Sequence, residues 1–396
     1  MINQDRIEGD LISINKKLLP LSWLYGLGVG FRNLLFEIGI LKSRPFTVPV
    51  ISVGNITVGG TGKTPHVEYL IQLLKDRTKV AVLSRGYKRK SHGFVLADES
   101  STVNDIGDEP FQMKTKFPDI TVAVDKKRTR GIDNLTSGEY VKDIDVILLD
   151  DAFQHRYVKP GINILLVDYH RLVIYDTLLP AGRLREPVKS KDRADIVIVT
   201  KCPKDLKPME FRVITKAMKL YPYQQLFFST HEFGTLRPVF PEDHVERSLD
   251  MSDKNVLLLT GIASPEQMLA ELQAYTKAVT PMAFSDHHAF SKKDIERINE
   301  TFSALPSPKI IVTTEKDEAR LLQVEGLSEE VKSHLYVLPI KIQILLDQED
   351  IFNQYIISYV RKNSRNSILA EKPDDHKPKD SNRPGDRPRT ISFRNN

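Results

Sequence analysis

The chain has 396 residues, a net charge of +5, and 40% hydrophobic and 28% charged residues, the balance of a folded protein long enough for two domains. Its single cysteine, Cys202, excludes an internal disulfide and a cysteine-based zinc site and fits a reducing compartment. Lys and Arg are spread along the chain rather than gathered in blocks, so the charge does not point to nucleic acid.

The polar, acidic start MINQDRIEGD does not read as a secretory signal. Residues 18–41, LLPLSWLYGLGVGFRNLLFEIGIL, are long and apolar and hold the only tryptophan, Trp23. Arg32, Asn33, Glu37 and three glycines interrupt the run, which argues against a membrane span. Two readings stand: a helix packed on the core, or an amphipathic helix in the membrane interface, its flanking lysines and Arg44 toward anionic headgroups.

From Phe46 onward strands and helices alternate. TVPVISVGN, KVAVLSRGY, DITVAVD, DIDVILLDD, INILLVDY and ADIVIVTKC are short apolar runs, and HVEYLIQLLKD has helical spacing. Continuous apolar strands predict a parallel sheet covered on both faces, with ligands beyond the carboxyl ends of the strands. Asn55, Ser84, Arg85, Asp125, Asp150, Asp151 and Asp168 all stand at such ends. After about Leu226 the character changes. FFSTHEFGTLRPVF alternates like a hairpin, and VLLLTGIASPEQMLAEL and KIIVTTEKDEARLL are strand–turn–helix units of a smaller α/β domain. The segment beyond Arg361 is rich in Pro, Asp, Lys, Arg and Asn, too polar to offset its ordering entropy, and is expected to be disordered.

The window TVGGTGKT follows the first strand and opens a helix. It matches the phosphate-binding loop G-x-x-x-x-G-K-[ST] except that Thr57 replaces the first glycine. Backbone N–H groups of Gly59, Gly60, Thr61 and Gly62 at a helix N-terminus make an anion nest. Lys63 can reach the β- and γ-phosphates of a nucleotide, and the Thr64 hydroxyl can bind Mg²⁺. Asp150 and Asp151 end an apolar strand and supply oxygen ligands of the kind Mg²⁺ takes. A strand-end aspartate can also be an ordinary helix cap.

The ordered set VGNITVGGTGKTP, LSRGYKRK, GDEP (107–110), DDAFQH, LLPAGRLREP, LTGIASPEQ, SDHHAF and VTTEKDEARL, from about residue 46 to 325, closely resembles the tetraacyldisaccharide 4′-kinase family. The resemblance implies a P-loop NTPase-like α/β fold: a mostly parallel sheet covered by helices, a second smaller α/β domain, and an N-terminal membrane-docking helix. It implies transfer of the γ-phosphate of ATP to the 4′-hydroxyl of an acylated glucosamine disaccharide 1-phosphate in lipid A biosynthesis. The expected setting is the cytoplasmic face of the inner membrane, with ATP and Mg²⁺ as cofactors and no required protein partner. The expected organisation is a membrane-associating segment (1–45), a kinase domain (46–225), a smaller domain closing over the site (226–360) and a disordered tail (361–396).

The family pattern places a general base at Asp108, assisted by a histidine of SDHHAF, His287 in preference to His288. It puts Glu109 at the metal or the nucleotide and Glu186 near the site. Arg85 and Arg128 are candidate phosphate clamps, because the guanidinium fork suits phosphate oxygens. His155 reads as a supporting or capping residue. Two departures stand out: Ala152 after the acid pair, where the family commonly has Gly, and Arg183 in AGRLREP. A nucleotide-switch ATPase shares the loop, but such proteins often carry a lysine where Val58 stands and need no acid–histidine pair. A soluble small-molecule kinase is the third reading.

Overall fold

Runs such as VISVG and VILLD present apolar side chains to both faces, and such strands persist only where both faces are covered. In the computed structural model, which describes residues 12, 14–241, 251–262, 265–276, 278–286, 288 and 290–364, they form the centre of a nine-stranded sheet. An N-terminal helix, α1 (Leu19–Glu37), precedes it. The chain then runs β1 (Val50–Gly54), α2 (Lys63–Leu74), β2 (Val80–Ser84), β3 (Val95–Leu96), α3 (Val103–Ile106), α4 (Asp108–Lys116), β4 (Thr121–Val124) and α5 (Arg128–Thr136). It continues through β5 (Val146–Asp150), β6 (Ile162–Asp168), β7 (Ile196–Thr200), α6 (Pro208–Met218) and β8 (Gln225–Phe233).

A second sheet follows: β9 (Arg237–Pro238), β10 (Asn255–Thr260), β11 (Ala278–Ala283), β12 (Lys309–Thr314) and β13 (Leu335–Leu338). Its helices are α7 (Glu266–Tyr275), α8 (Lys292–Ala304), α9 (Glu315–Leu321) and α10 (Glu329–Ser333). The chain then returns to the first sheet with β14 (Ile340–Ile344) and ends its described part in α11 (Glu349–Asn363).

The large sheet has the order β14-β8-β7-β6-β1-β5-β2-β4-β3, parallel except at its two edge strands, and the small one β11-β10-β12-β13-β9. On one face of the large sheet, Val67, Leu70, Ile71 and Leu74 of α2 and Phe352, Ile356 and Val360 of α11 pack on Ile51, Val53 and Ile164. On the other, α5 covers β2 and β5, and α6 covers β6 and β7. The small sheet has its own core around Leu257, Leu259, Ile298, Phe302 and Val337.

The hairpin expected in FFSTHEFGTLRPVF is absent. β8 lies beside β7 in the large sheet and takes β14 as its antiparallel partner, whereas β9 pairs with β13. The boundary expected between residues 225 and 226 therefore falls inside β8. The small sheet is an insertion between β8 and β14, and the two crossing segments touch, the Gly234 N–H donating to the Pro339 carbonyl at 2.9 Å. The tail expected to be disordered lies, from residue 365 on, outside the described residues.

Helix α1 buries only Ser22, Asn33 and Phe36. Trp23, Leu24, Leu27 and Phe31 are each more than 60% exposed. Among the described residues no helix is long and apolar enough to cross a membrane. Polar groups on its inner side fasten α1 down: Ser22 Oγ donates to the Leu178 carbonyl (2.9 Å), Tyr25 OH to that of Arg185 (2.9 Å) and Arg32 to that of Gln154 (3.1 Å).

Gly54, at the end of β1, is a close-approach glycine. A Cβ there meets the Phe153 nitrogen and Cβ at 2.8 Å. Gly54→Ala is expected to cost about 1–3 kcal/mol by overpacking. A urea titration checks it as a lower midpoint at unchanged slope.

Candidate active site

The turn after β1 is held from beneath. Asn55, fully buried, donates to Thr61 Oγ1 (2.8 Å), and Gln154 Nε2 donates to the Asn55 carbonyl. Gly62, the N-cap of α2, has φ +79° and Gly59 has φ +112°, left-handed conformations that glycine adopts without penalty. The α2 N-terminus thus faces the turn with its donors outward. His66, one turn into α2, donates from Nδ1 to the Gly62 carbonyl (2.7 Å) and accepts from Ser229 Oγ at Nε2 (3.0 Å). Burial lowers its pKa to about 4, so the ring is neutral and ties the cradle to β8.

A cleft of about 440 Å³ opens over this turn. Residues 57–65 form its floor; Ser84, Arg85, Tyr87, Glu109 and Asp151 form one wall. Ile262, Asp286, Thr314, Glu315 and Lys316 of the inserted unit form another. Lys63 Nζ stands 3.8 Å from Asp151 Oδ1. Asp150 is fully buried; its Oδ2 accepts from Ser84 Oγ (3.1 Å), and its Oδ1 has no hydrogen-bond partner. Burial, then the charges of Glu109 and Asp151, push its carboxyl well above the usual range. For Asp151 burial acts upward as well, but Lys63, Arg185 and Arg128 outweigh it and hold the group below the usual range. Asp151 also takes φ +45°, a strained turn of the kind concentrated at sites.

These donors suit a hard divalent cation. Asp150, Asp151 and the Thr64 hydroxyl supply only oxygen, and the orphaned Asp150 Oδ1 is an acceptor awaiting a partner. Among the described residues no three His, Cys, Asp or Glu form a metal cluster.

Two expected site residues, Arg128 and Glu186, do not line the cleft. Arg128 is 2% exposed, and its guanidinium donates to the carbonyls of Asp125 (2.6 Å) and Asp150 (3.0 Å), bracing the ends of β4 and β5. Glu186 is also 2% exposed and pairs with Arg193 at 2.7 Å. Its neighbour Arg185 lines the cleft instead, donating to Asn55 Oδ1 and to Asp151 Oδ1 (3.2 Å). His155 is neutral, its pKa lowered to about 4 by burial and by nearby arginines. Asp168 pairs with Lys201, which also lines the cleft.

Asp108 opens α4 and receives two hydrogen bonds from Arg320 of α9, at 3.0 and 2.7 Å. Glu109 faces Lys316 Nζ at 3.8 Å. His287 lies outside the described residues; His288 pairs with Asp294 at 3.0 Å, at the start of α8. Sequence reasoning missed Arg185, Lys201, Lys316 and Arg320. The last two lie in VTTEKDEARL, a motif that was visible but had been given no role.

A family model described as tetraacyldisaccharide-1-P 4′-kinase matches residues 14–361. The chain belongs to this family. Curated tetraacyldisaccharide 4′-kinases from Phocaeicola vulgatus and Bacteroides thetaiotaomicron are 58% and 56% identical to it. Each alignment covers 92% of this chain, with 100% and 98% of the respective relative. A crystal structure of LpxK from Aquifex aeolicus in complex with ATP superposes with a TM-score of 0.66 at 31% identity, covering 87% of this chain and 99% of that one. As a member of the family the chain is an ATP-dependent kinase.

Proposed function

We propose that the protein transfers the γ-phosphoryl group of ATP to the 4′-hydroxyl of a tetraacyldisaccharide 1-phosphate at a membrane surface. The observation that carries this reading is that Arg185, which lines the cleft over the glycine turn, accepts a hydrogen bond at its carbonyl from Tyr25 of an exposed apolar helix. α1, with its apolar side outward, is hydrogen-bonded to the segments that bear Arg185 and Gln154.

In the reaction the acceptor oxygen bonds the γ-phosphorus as the bond to the β,γ-bridging oxygen breaks and ADP leaves. Asp108 takes the hydroxyl proton, with His287 orienting it. Lys63 and the N–H groups of residues 59–62 hold the phosphates and offset charge as it develops. Thr64, Asp150 and Asp151 would hold Mg²⁺, which when bound neutralises phosphate charge. Glu109 and Lys316 border the nucleotide, and Arg85 and Arg185 receive phosphate oxygens. The inserted unit closes over ATP and excludes water.

The test is transfer of label from γ-labelled ATP to tetraacyldisaccharide 1-phosphate in detergent micelles with Mg²⁺. Labelled lipid is the expected product; label released only as inorganic phosphate sinks the proposal and favours a nucleotide switch. The surface reading has its own check. The triple variant Trp23→Ser, Leu27→Ser, Phe31→Ser is expected to lose most binding to anionic vesicles in flotation while keeping ATP binding, since those side chains touch no part of the cradle.

A further inference from the structure

The cation that grips Asp108 comes from the inserted unit. We propose that Arg320 is a positioning residue for phosphoryl transfer: it fixes which oxygen of the Asp108 carboxylate meets the acceptor hydroxyl. The proposal rests on Asp108 being the base.

Both contacts fall on one atom. Arg320 Nε (3.0 Å) and Nη2 (2.7 Å) converge on Asp108 Oδ2. Two donors from one rigid plane on one oxygen stop the carboxylate from rotating and assign proton acceptance to Oδ1. The guanidinium is itself set by its own unit. Its Nη1 donates to Asp317 Oδ1 at 3.0 Å. Asp317 is fully buried, and its Oδ2 accepts from the Gly261 N–H (2.8 Å) and Thr314 Oγ1 (2.7 Å). Arg320 is therefore aimed by β10, β12 and α9 through contacts that do not involve Asp108.

Burial separates this contact from an ordinary surface pair. The side chains of Arg320 and Asp108 are 8% and 14% exposed, so loose solvated geometry does not dilute it. One guanidinium is shared between two carboxylates, Asp108 and Asp317. Arg320 is also not alone in joining the units at this seam. Lys116 Nζ bridges Glu68 (2.6 Å) and Glu315 (2.7 Å), and Lys316 lies near Glu109. The nucleotide-facing wall at 314–316 should therefore survive its loss.

A double-mutant cycle tests this on the full chain, with Arg320→Met, Arg320→Lys, Asp108→Asn and the Arg320→Met, Asp108→Asn pair in the lipid transfer assay. Arg320→Met is expected to lower kcat about 10²-fold, the cost of a misplaced reacting group, with KM for ATP unchanged. Arg320→Lys restores part of it, because a point charge attracts the carboxylate but does not fix its plane. In the Asp108→Asn background Arg320→Met has no further effect. Independent, multiplying losses overturn the proposal, as does a raised KM for ATP at unchanged kcat, the mark of a simple strut. If Arg320→Met does not fold, Arg320→Lys carries the same cycle. Normal turnover in Asp108→Asn alone defeats the base assignment, and the proposal with it; a dead Asp108→Asn with additive Arg320 variants defeats the proposal alone.

Discussion

Lys63→Ala is expected to lower kcat/KM by about 10³-fold, the scale of losing a preorganised cation where transition-state charge builds. The residue starts α2, its side chain is 16% exposed, and Asp151 holds its ammonium 3.8 Å away. In that position it serves both ground state and transition state, so ATP affinity should weaken as well. Isothermal titration with ATP and steady-state transfer kinetics separate the two contributions. Unchanged ATP affinity together with unchanged kcat would remove the cradle from the mechanism.

Asp108→Ala should separate those effects. It removes the proposed proton acceptor, which stands outside residues 57–65, so ATP binding is expected to stay at the level of the unmodified chain. Transfer to lipid is expected to fall by about 10²–10⁴-fold, the usual contribution of a general base. The comparison with Lys63→Ala is informative because Asp108 opens α4 and Lys63 opens α2, two separate helices. Equal loss of ATP binding in both variants would show that Asp108 acts through the fold and not through the proton.

The central strands and the glycine turn before α2 were legible because their signals are local. VISVG and VILLD are apolar at every position, and every residue of β1 and β5 is buried. Glycines at 59 and 62 are demanded by backbone angles that act within one turn. The limit of the inserted unit was not legible, because the partner of β8 is β14, which is encoded beyond the whole insertion. The half-exposed end of β8 produced an alternation that mimics a hairpin. Side-chain direction was the other blind spot. Arg185 and Glu186 are adjacent in a bend, yet Glu186 is buried against Arg193 while Arg185 lines the cleft, so choosing the acid lost the arginine. Arg128 was expected to clamp phosphate, but sequence cannot tell a guanidinium facing ligand from one spent on carbonyls.

The placement of β14 has a consequence for how the molecule is made. The large sheet is not complete when its first eight strands exist, because its edge and helix α11 are synthesised last. Closing β8 against β14 means bridging a loop as long as the insertion, a cost that falls sharply if the insertion has already collapsed onto its own core. Until then β8 is an open strand edge that carries Phe227 and Phe228, the kind of surface that recruits other chains. Mutations in the small core, such as Phe302→Ala, should therefore show themselves first as aggregation during refolding, with the nucleotide cradle itself untouched.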